Sequence, residues 1–414
     1  MCKSIISIAK NVHEQKRLLL VNLRELFVAF KSMHPSISIG FSKFCSLRPK
    51  CCITVSRSGT HSVCVCSIHQ NAKLLAAACG CDYHDLMSKL VCDLSNKDCM
   101  LHRCEKCPGL ENLEMFLLAK FEESGASQVT FQQWDSTDRC SVITRMESID
   151  TFIDIVLKSI NNLTKHSFVA KSQSNDLKAK KSSLDPTEAV VLLDFAENYS
   201  FIAQDSIQGY HWNNAQCSLH PAVIYFFDNK TNSLSSKSMC IISENLDHDV
   251  AFVYSVQKVV MKFLKINFYH VSTVHYYSDG CSAQYKNYKN LMILCHHHKD
   301  FGLNADWTFF ATSHGKSPCD GVGGTVKCLV SRASLQHPIN NQILTAESFF
   351  EFCQENISGI SFDYLTTDSL VSTRVFLNER FLKGNTIPGT RSFHYFTPLD
   401  EAAIGCKFVS CDSE

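Results

Sequence analysis

From Ala189 to about residue 333 the chain carries an order of elements that few architectures can accommodate. Residues 189–195 (AVVLLDF) form a nearly unbroken apolar run, the pattern of a strand buried on both faces. The following segment turns through Gly209. Residues 220–227 (HPAVIYFF) and 238–243 (SMCIIS) then read as second and third strands, with Asp228-Asn229-Lys230 as the turn between them. Residues 249–266 (DVAFVYSVQKVVMKFLKI) place apolar side chains at 252, 253, 256, 259, 260, 263 and 264, opposite Lys258, Lys262 and Lys265, which predicts an amphipathic helix. A fourth strand (271–278, VSTVHYYS), a helix (287–298), a fifth strand (305–311, ADWTFFA) and a helix over 318–333 follow. Three strands joined by turns, then helix alternating with strand, predict a mixed sheet covered by helices.

The remainder of the chain divides by composition. Residues 1–45 are an N-terminal helix and lead-in, with LLLVNLRELFVAF (18–30) as the helix. Residues 46–110 are rich in Cys and His. Residues 111–168 carry helical periodicity in LENLEMFLLAKFEES and SIDTFIDIVLKSINNL. Residues 169–186 (containing AKSQSNDLKAKKSSLDP) have no apolar period and read as a basic polar linker closed by Asp185-Pro186. Residues 187–340 are the mixed-sheet core, and 341–414 are expected to pack further helices and a strand on it. No internal repeat is visible. With 414 residues, 45% hydrophobic and 19% charged, the chain is globular and long enough for two or three domains. No apolar run approaches the roughly 18–20 residues of a membrane span. The start, MCKSIISIAKNVHEQK, has too short an apolar stretch for a secretory signal, so an intracellular protein is expected. The formal net charge is zero, so any case for nucleic acid must be local.

Twenty-two cysteines in a chain with no visible export signal favour metal where they cluster and core packing where they scatter. They crowd residues 45–107, with His61, His69, His84 and His102. CVCSIHQN brings Cys64, Cys66 and His69 together, and DCMLHRCEKCPG brings Cys99, His102, Cys104 and Cys107. Cys104-x-x-Cys107 before Pro108-Gly109 has the spacing and turn of half a zinc knuckle, whose other half is expected from Cys64, Cys66 or His69. A structural Zn²⁺ would help fold a region with few large hydrophobic clusters. The alternative is reduced cysteines in a small core. Cys217-x-x-His220 reads as core. His296-His297-His298 point three ways from a helix and cannot chelate together.

Two acids stand out. Asp194 interrupts an apolar strand, where an ionised carboxylate is costly without a partner. Asp279 ends the fourth strand, before Gly280. Taken singly, one acid could cap a strand and the other start an Asp-Gly turn. The element order, however, resembles the ribonuclease H-like fold. In a sheet of that order the first and fourth strands are neighbours, so the two acids would share one ion. Mg²⁺ or Mn²⁺ binds through few carboxylates plus phosphate oxygens, and two ions can clamp the attacking and leaving oxygens of a phosphoryl displacement. The third acid expected for such a core is Asp320, in the helix after the fifth strand. Glu347 and Glu351 are weaker alternatives, and an acid in a helix's first turn is also favoured by the helix dipole.

The strings LLDFAENYSF, YYSDGCSAQYKNYKN, FFATSHGKSPCDGVGGTVKCLVSRASL and NTIPGTRSFHYF resemble those of DDE/D-type transposase-like proteins of invertebrate genomes, over roughly residues 55–400. The resemblance implies metal-dependent cleavage and strand transfer at DNA phosphodiesters. Asp194, Asp279 and Asp320 would be catalytic residues holding two Mg²⁺ or Mn²⁺ ions, with Cys64, Cys66, His69, Cys104 and Cys107 around Zn²⁺. Relatives of the wider class often carry Glu at the third position. Lys286, Lys289, His314, Lys316 and Lys327 are candidate DNA contacts, and Gln284 and Asn290 could line the same groove. Glu197 and Asn198 read as surface residues. Gly321, Gly323 and Gly324 allow close backbone approach or mark a frayed helix start. Expected partners are transposon ends and target DNA, with a homo-oligomer, no membrane and a nuclear location. The rival readings are a catalytically idle remnant that binds DNA or protein, and a plain nuclease of the same fold. No helix-turn-helix or basic finger precedes the core.

Overall fold

The computed structural model describes residues 5–9, 12–15, 17–19, 23–49, 51–53, 65–136, 140–204, 206–211, 214–228, 231–336, 341–382 and 384–410. The chain forms two compact units, residues 1–65 and 66–414. In the first, β1 (Ile5–Ala9) pairs antiparallel with β2 (Val12–Gln15), and β3 (Arg17–Leu18) pairs with β4 (Cys52–Ile53). Helix α1 (Leu23–Met33) begins later than the 18–30 run suggests, and α2 (Phe41–Ser46) follows it.

The second unit opens with a helical module. Helices α3 (Ser67–Ala78), α4 (Tyr83–Leu90), α5 (Lys97–Met100) and α6 (Gly109–Ser124) pack on the first half of α7 (Ile149–Ser182). Leu75, Leu86, Leu113, Leu117, Phe152, Val156 and Ile160 are buried together, so the module has a substantial core of its own, contrary to the expectation of few hydrophobic clusters. Inside the span 111–168 lies a hairpin, β5 (Gln128–Asp135) with β6 (Ser141–Ser148). Val129 and Phe131 alternate with exposed residues at period two, and both face the module core. Asn71 of α3 binds both backbone polar groups of Trp134, as a strand neighbour would, at 2.7 and 3.1 Å.

The linker expected at 169–186 is instead mostly helix, because α7 runs 34 residues to Ser182, about 51 Å at 1.5 Å per residue. Its buried positions there are Val169, Ser172 and Gln173, with Asp176 and Leu177 half-buried, a helical spacing filled largely with polar side chains. Hydrophobic periodicity vanishes while structural periodicity persists. Gln173 donates to the carbonyls of Phe309 and His394 and accepts from the backbone and hydroxyl of Ser410. Asp176 accepts the Tyr277 hydroxyl at 2.6 Å. Gln173→Leu leaves several buried partners unpaired and is expected to cost about 1–3 kcal/mol for each lasting orphan. Urea unfolding measures this, and an unchanged midpoint would contradict the role given to Gln173.

The core sheet contains β7 (Glu188–Leu193), β8 (Tyr199–Ser200), β9 (Gln216–Asp228), β10 (Ser233–Ser243), β11 (Thr273–Ser278) and β12 (Asn304–Phe309). Helix α8 (Val250–Asn267) precedes β11; α9 (Tyr288–Cys295) and α10 (His297–Phe301) precede β12; α11 (Pro318–Gln336) follows it. The C-terminal part adds α12 (Ala346–Asn356), β13 (Ile360–Tyr364), α13 (Thr367–Phe381), β14 (Tyr395–Pro398) and β15 (Ile404–Lys407), which is two helices and three strands where one strand was expected. The strand order is β13-β10-β9-β7-β11-β12-β14-β15, with β8 pairing β9. β7 is antiparallel to β9 and parallel to β11, which is parallel to β12. The C-terminal strands extend both edges.

Alternation along the central strands sorts the core into two layers. Ala189, Val191, Leu193, Val274 and Tyr276 face α8, α9 and α13. Val190, Leu192 and Tyr277 face α11 and α12. Apolar helices on both faces are why 189–193 contains no polar residue.

Candidate acidic site and two candidate metal centres

The alternation that sorts the core also aims the acids. Asp194 follows Val190 and Leu192, and Asp279 follows Tyr277, so both continue the face covered by α11. Thr273 pairs with Glu188 and Tyr277 with Leu192, an offset of 85 residues (273 − 188 = 85) that Asp279 shares with Asp194 (279 − 194 = 85). The two acids thus occupy one register at the C-terminal ends of neighbouring parallel strands.

Helix α11 brings the third acid. Gly323 sits against the sheet; a Cβ there would lie 3.1 Å from Ala196 Cβ and 3.4 Å from Pro221 Cγ. This is the close approach anticipated for the glycines, whereas Gly321 and Gly324 have open space. Ser317 starts the helix: its hydroxyl accepts from Cys319 N at 3.1 Å, and its own N–H donates to Asp320 Oδ2 at 3.0 Å, a capping-box arrangement with Pro318 at the first helical position. Burial first, then the Asp279 and Asp320 charges, push the Asp194 carboxyl up to about 7. Burial also raises Asp279, offset by Cys281 N–H donating to its Oδ1 at 3.1 Å. Gly315 packs on Asp279, where an added Cβ would stand 3.1 Å from the aspartate Cβ. The buried Tyr285 hydroxyl near these acids is bonded to His220 at 2.8 Å.

The candidate DNA contacts separate in this structure. Lys316 and Lys289 are exposed, the latter's ammonium lying over the Phe381 ring. Lys327 is half-buried, with Glu197 acting on its charge. Lys286 is no solvent-facing lysine: it is buried, donates to the Arg391 carbonyl at 3.0 Å, and burial lowers its ammonium to about 8. Asn290 is fully buried and donates to the Tyr285 carbonyl, so it lines no groove. Asn198 is half-buried in a network with Ser218 and His248 rather than on the surface. Cys217 and His220 are core residues, and the three consecutive histidines diverge: His297 is buried against Tyr276, His296 bonds the Met292 carbonyl and His298 is exposed.

The expected single Cys/His cluster resolves into two. Among the described residues, two sets of three or more Cys, His, Asp or Glu have ligand atoms all within 4.8 Å of one another: Cys92, Cys99, Cys104 and Cys107; and Cys66, His69, His166 and His314. The acid trio is not gathered that closely. Cys64 lies outside the described residues. In the four-cysteine set, Cys92 Sγ stands 3.3 Å from Cys99 Sγ, 3.9 Å from Cys104 Sγ and 3.7 Å from Cys107 Sγ. The Lys106 amide lowers the Cys104 thiol, and Cys92 N–H donates to Cys107 Sγ at 3.5 Å. His102, in the left-handed region at φ 57°, points away to Thr164 and the Asn161 carbonyl. The partners of Cys104 and Cys107 are therefore Cys92 and Cys99. The run Cys92-x6-Cys99-x4-Cys104-x2-Cys107 was a legible signal for them. This set could hold a metal ion. In the second set, Cys66 and His69 join two residues far off in sequence, and burial lowers both His69 and His166 to about 4.

Among the described residues no helix is long and apolar enough to cross a membrane. Three family models match the chain, each described as a domain of unknown function: DUF8699 over residues 2–56, DUF8700 over 67–164 and DUF8701 over 173–410. The last two are separated by residues 165–172, within α7. No curated protein and no solved structure matches the chain. The DUF8701 match spans more than half of the 414 residues, and the chain belongs to that family.

Proposed function

We propose that the chain is a transposon-derived DDE/D-type phosphoryl-transfer enzyme, with a ribonuclease H-like core acting on DNA phosphodiesters in the nucleus. One observation carries this reading: Asp194 and Asp279 share a register at the tips of adjacent parallel strands, and the Asp320 charge on α11 acts on Asp194. The strand order β10-β9-β7-β11-β12, with only β9 antiparallel to its neighbours, supports it. A buried carboxylate beside two others is unfavourable alone and is relieved by a cation. Bound Mg²⁺ or Mn²⁺ would supply charge stabilisation at the attacking and leaving oxygens. Asp194 and Asp279 would be the inner ligands. Asp320 has one oxygen engaged by Ser317 N–H and leaves the other to complete the set. Lys316, exposed beside the site, suits a phosphate contact. The four-thiolate set suits Zn²⁺, since tetrahedral Zn–S bonds of about 2.3 Å place sulfurs about 3.8 Å apart.

The capping role of Asp320 favours a second reading, a catalytically idle descendant that binds DNA or protein. Calorimetric titration with Mn²⁺ decides between them. The first reading expects binding in the wild type that both Asp194→Asn and Asp279→Asn abolish. No binding, or binding unchanged in both variants, would leave only the second.

A further inference from the structure

Cys66, His69, His166 and His314 come from four separate places: the residue before α3, the first turn of α3, the middle of α7 and the loop between β12 and α11. The three imidazole centroids form a near-equilateral triangle with sides of 5.3, 5.1 and 5.0 Å. Cys66 Sγ lies 3.1 Å from His166 Nε2. His69 Nδ1 and His314 Nε2 are buried, and neither has a hydrogen-bond partner among the described residues. Buried ring nitrogens without partners are rare and call for an explanation. His69 Nε2 is fixed by the Ser167 hydroxyl at 3.1 Å, the outer bond that orients a ligating imidazole and leaves its other nitrogen free. One thiol and three imidazoles within 4.8 Å match the ligand types and number of a closed tetrahedral zinc site.

We infer that these four residues bind one Zn²⁺ that staples α3 and α7 to the β12–α11 loop. The position of that loop gives the staple a purpose. His314 precedes Gly315, which packs on Asp279, and Ser317, which caps α11 and holds Asp320. Ser313 takes the left-handed conformation at φ 62°, and His314 N–H closes the turn on the Ala311 carbonyl at 2.9 Å. The ligands span two of the three family matches, since His69 falls in DUF8700 and His314 in DUF8701. The zinc thus ties the helical module to the loop beside the acids. The binding of zinc stands independently of the proposed catalysis, whereas the effect on the acids rests on it.

The test is zinc content of the purified full chain by mass spectrometry, for wild type, His166→Gln, and Cys104→Ser/Cys107→Ser. His166→Gln is expected to lose one equivalent relative to wild type while keeping the equivalent that the cysteine pair variant loses. Equal zinc in wild type and His166→Gln overturns the assignment. Should His166→Gln fail to fold, Co²⁺ titration of the metal-stripped Cys104→Ser/Cys107→Ser chain decides. One equivalent with the intense absorption of a tetrahedral thiolate–imidazole site upholds the inference, and its absence overturns it. The staple role is read separately, as amide exchange over 311–320 that quickens in His166→Gln and a roughly 10–100-fold weaker Mn²⁺ affinity. Lost zinc with unchanged exchange would sink the positioning role while leaving the site.

Discussion

Asp194→Asn is expected to reduce Mn²⁺-dependent cleavage of DNA by at least about 10³-fold, while making the metal-free protein more stable above pH 7. On the proposed function the loss follows from removing an inner ligand, a contribution of several kcal/mol to stabilising charge in the transition state. The gain follows from the environment of the carboxyl. Burial and the Asp279 and Asp320 charges raise it from its ordinary 3.8 to about 7. A raised acid disfavours the fold once ionised. The cost is absent below about pH 3.8, grows as pH rises towards 7, and is complete above that. Full conversion gives about 4 kcal/mol; the water left to a partly exposed side chain reduces this to about 2–3 kcal/mol. The amide keeps the shape and carries no charge. Urea unfolding of both proteins at pH 4, 6 and 8 should show the variant's advantage appear and widen with pH. Excess Mn²⁺ should reverse the order at pH 8, because the ion stabilises only the protein that binds it. A variant less stable than wild type at pH 8 without metal would mean that Asp194 is held by a bond rather than strained by burial.

Opposed effects on activity and stability mark a functional site, since an acid kept only for folding would not be placed where ionisation weakens the fold. The same reasoning separates Asp194 from Asp320. Asp320 is exposed and serves the start of α11 through Ser317 N–H. Its replacement by Asn keeps most of the cap and should leave stability nearly unchanged, so a loss of Mn²⁺ binding there would report ligation alone.

What could be read in the sequence follows from where chemistry and geometry coincide. Strands β7, β9, β10, β11 and β12 and helices α8 and α11 are legible because their buried faces are apolar, so period two and period 3.6 are written in residue type. Asp194 and Asp279 are legible because a carboxylate contradicts that pattern. The second half of α7 is not: Gln173 and Asp176 occupy inward positions through hydrogen bonds to Phe309, His394, Ser410 and Tyr277, partners that no local window contains. The hairpin β5–β6 is hidden between two strong helical runs. His166 has no local signal either, being one histidine on a long helix, and His314 reads as a phosphate contact until the fold sets it against His69. Cys92 was within reach, since four cysteines fall in sixteen residues (92 to 107), whereas the expected partners of Cys104 and Cys107 were Cys64, Cys66 or His69.

Breaking the four-cysteine set is expected to unfold one segment and spare the module around it. Cys92 follows α4, Cys99 lies in the four-residue α5, and Cys104 and Cys107 precede α6, so an ion on these four sulfurs would hold the whole connection from α4 to α6. That connection contributes little apolar burial beyond Val91, Cys99, Met100 and Leu101. The helices on either side are secured otherwise: Leu86, Leu113, Leu117, Phe152 and Val156 form a core that needs no ion. In a zinc-finger peptide the ion substitutes for a core and contributes roughly 10–16 kcal/mol of apparent folding energy. Here the contribution should be smaller, on the order of 5 kcal/mol, and confined to the segment it crosses. In Cys104→Ser/Cys107→Ser, amide protection should collapse over residues 91–108 and persist in α6 and the first half of α7, with far-UV helicity nearly intact. Loss of protection throughout 67–164 would instead make the ion the module's organising element, and the apolar core its consequence.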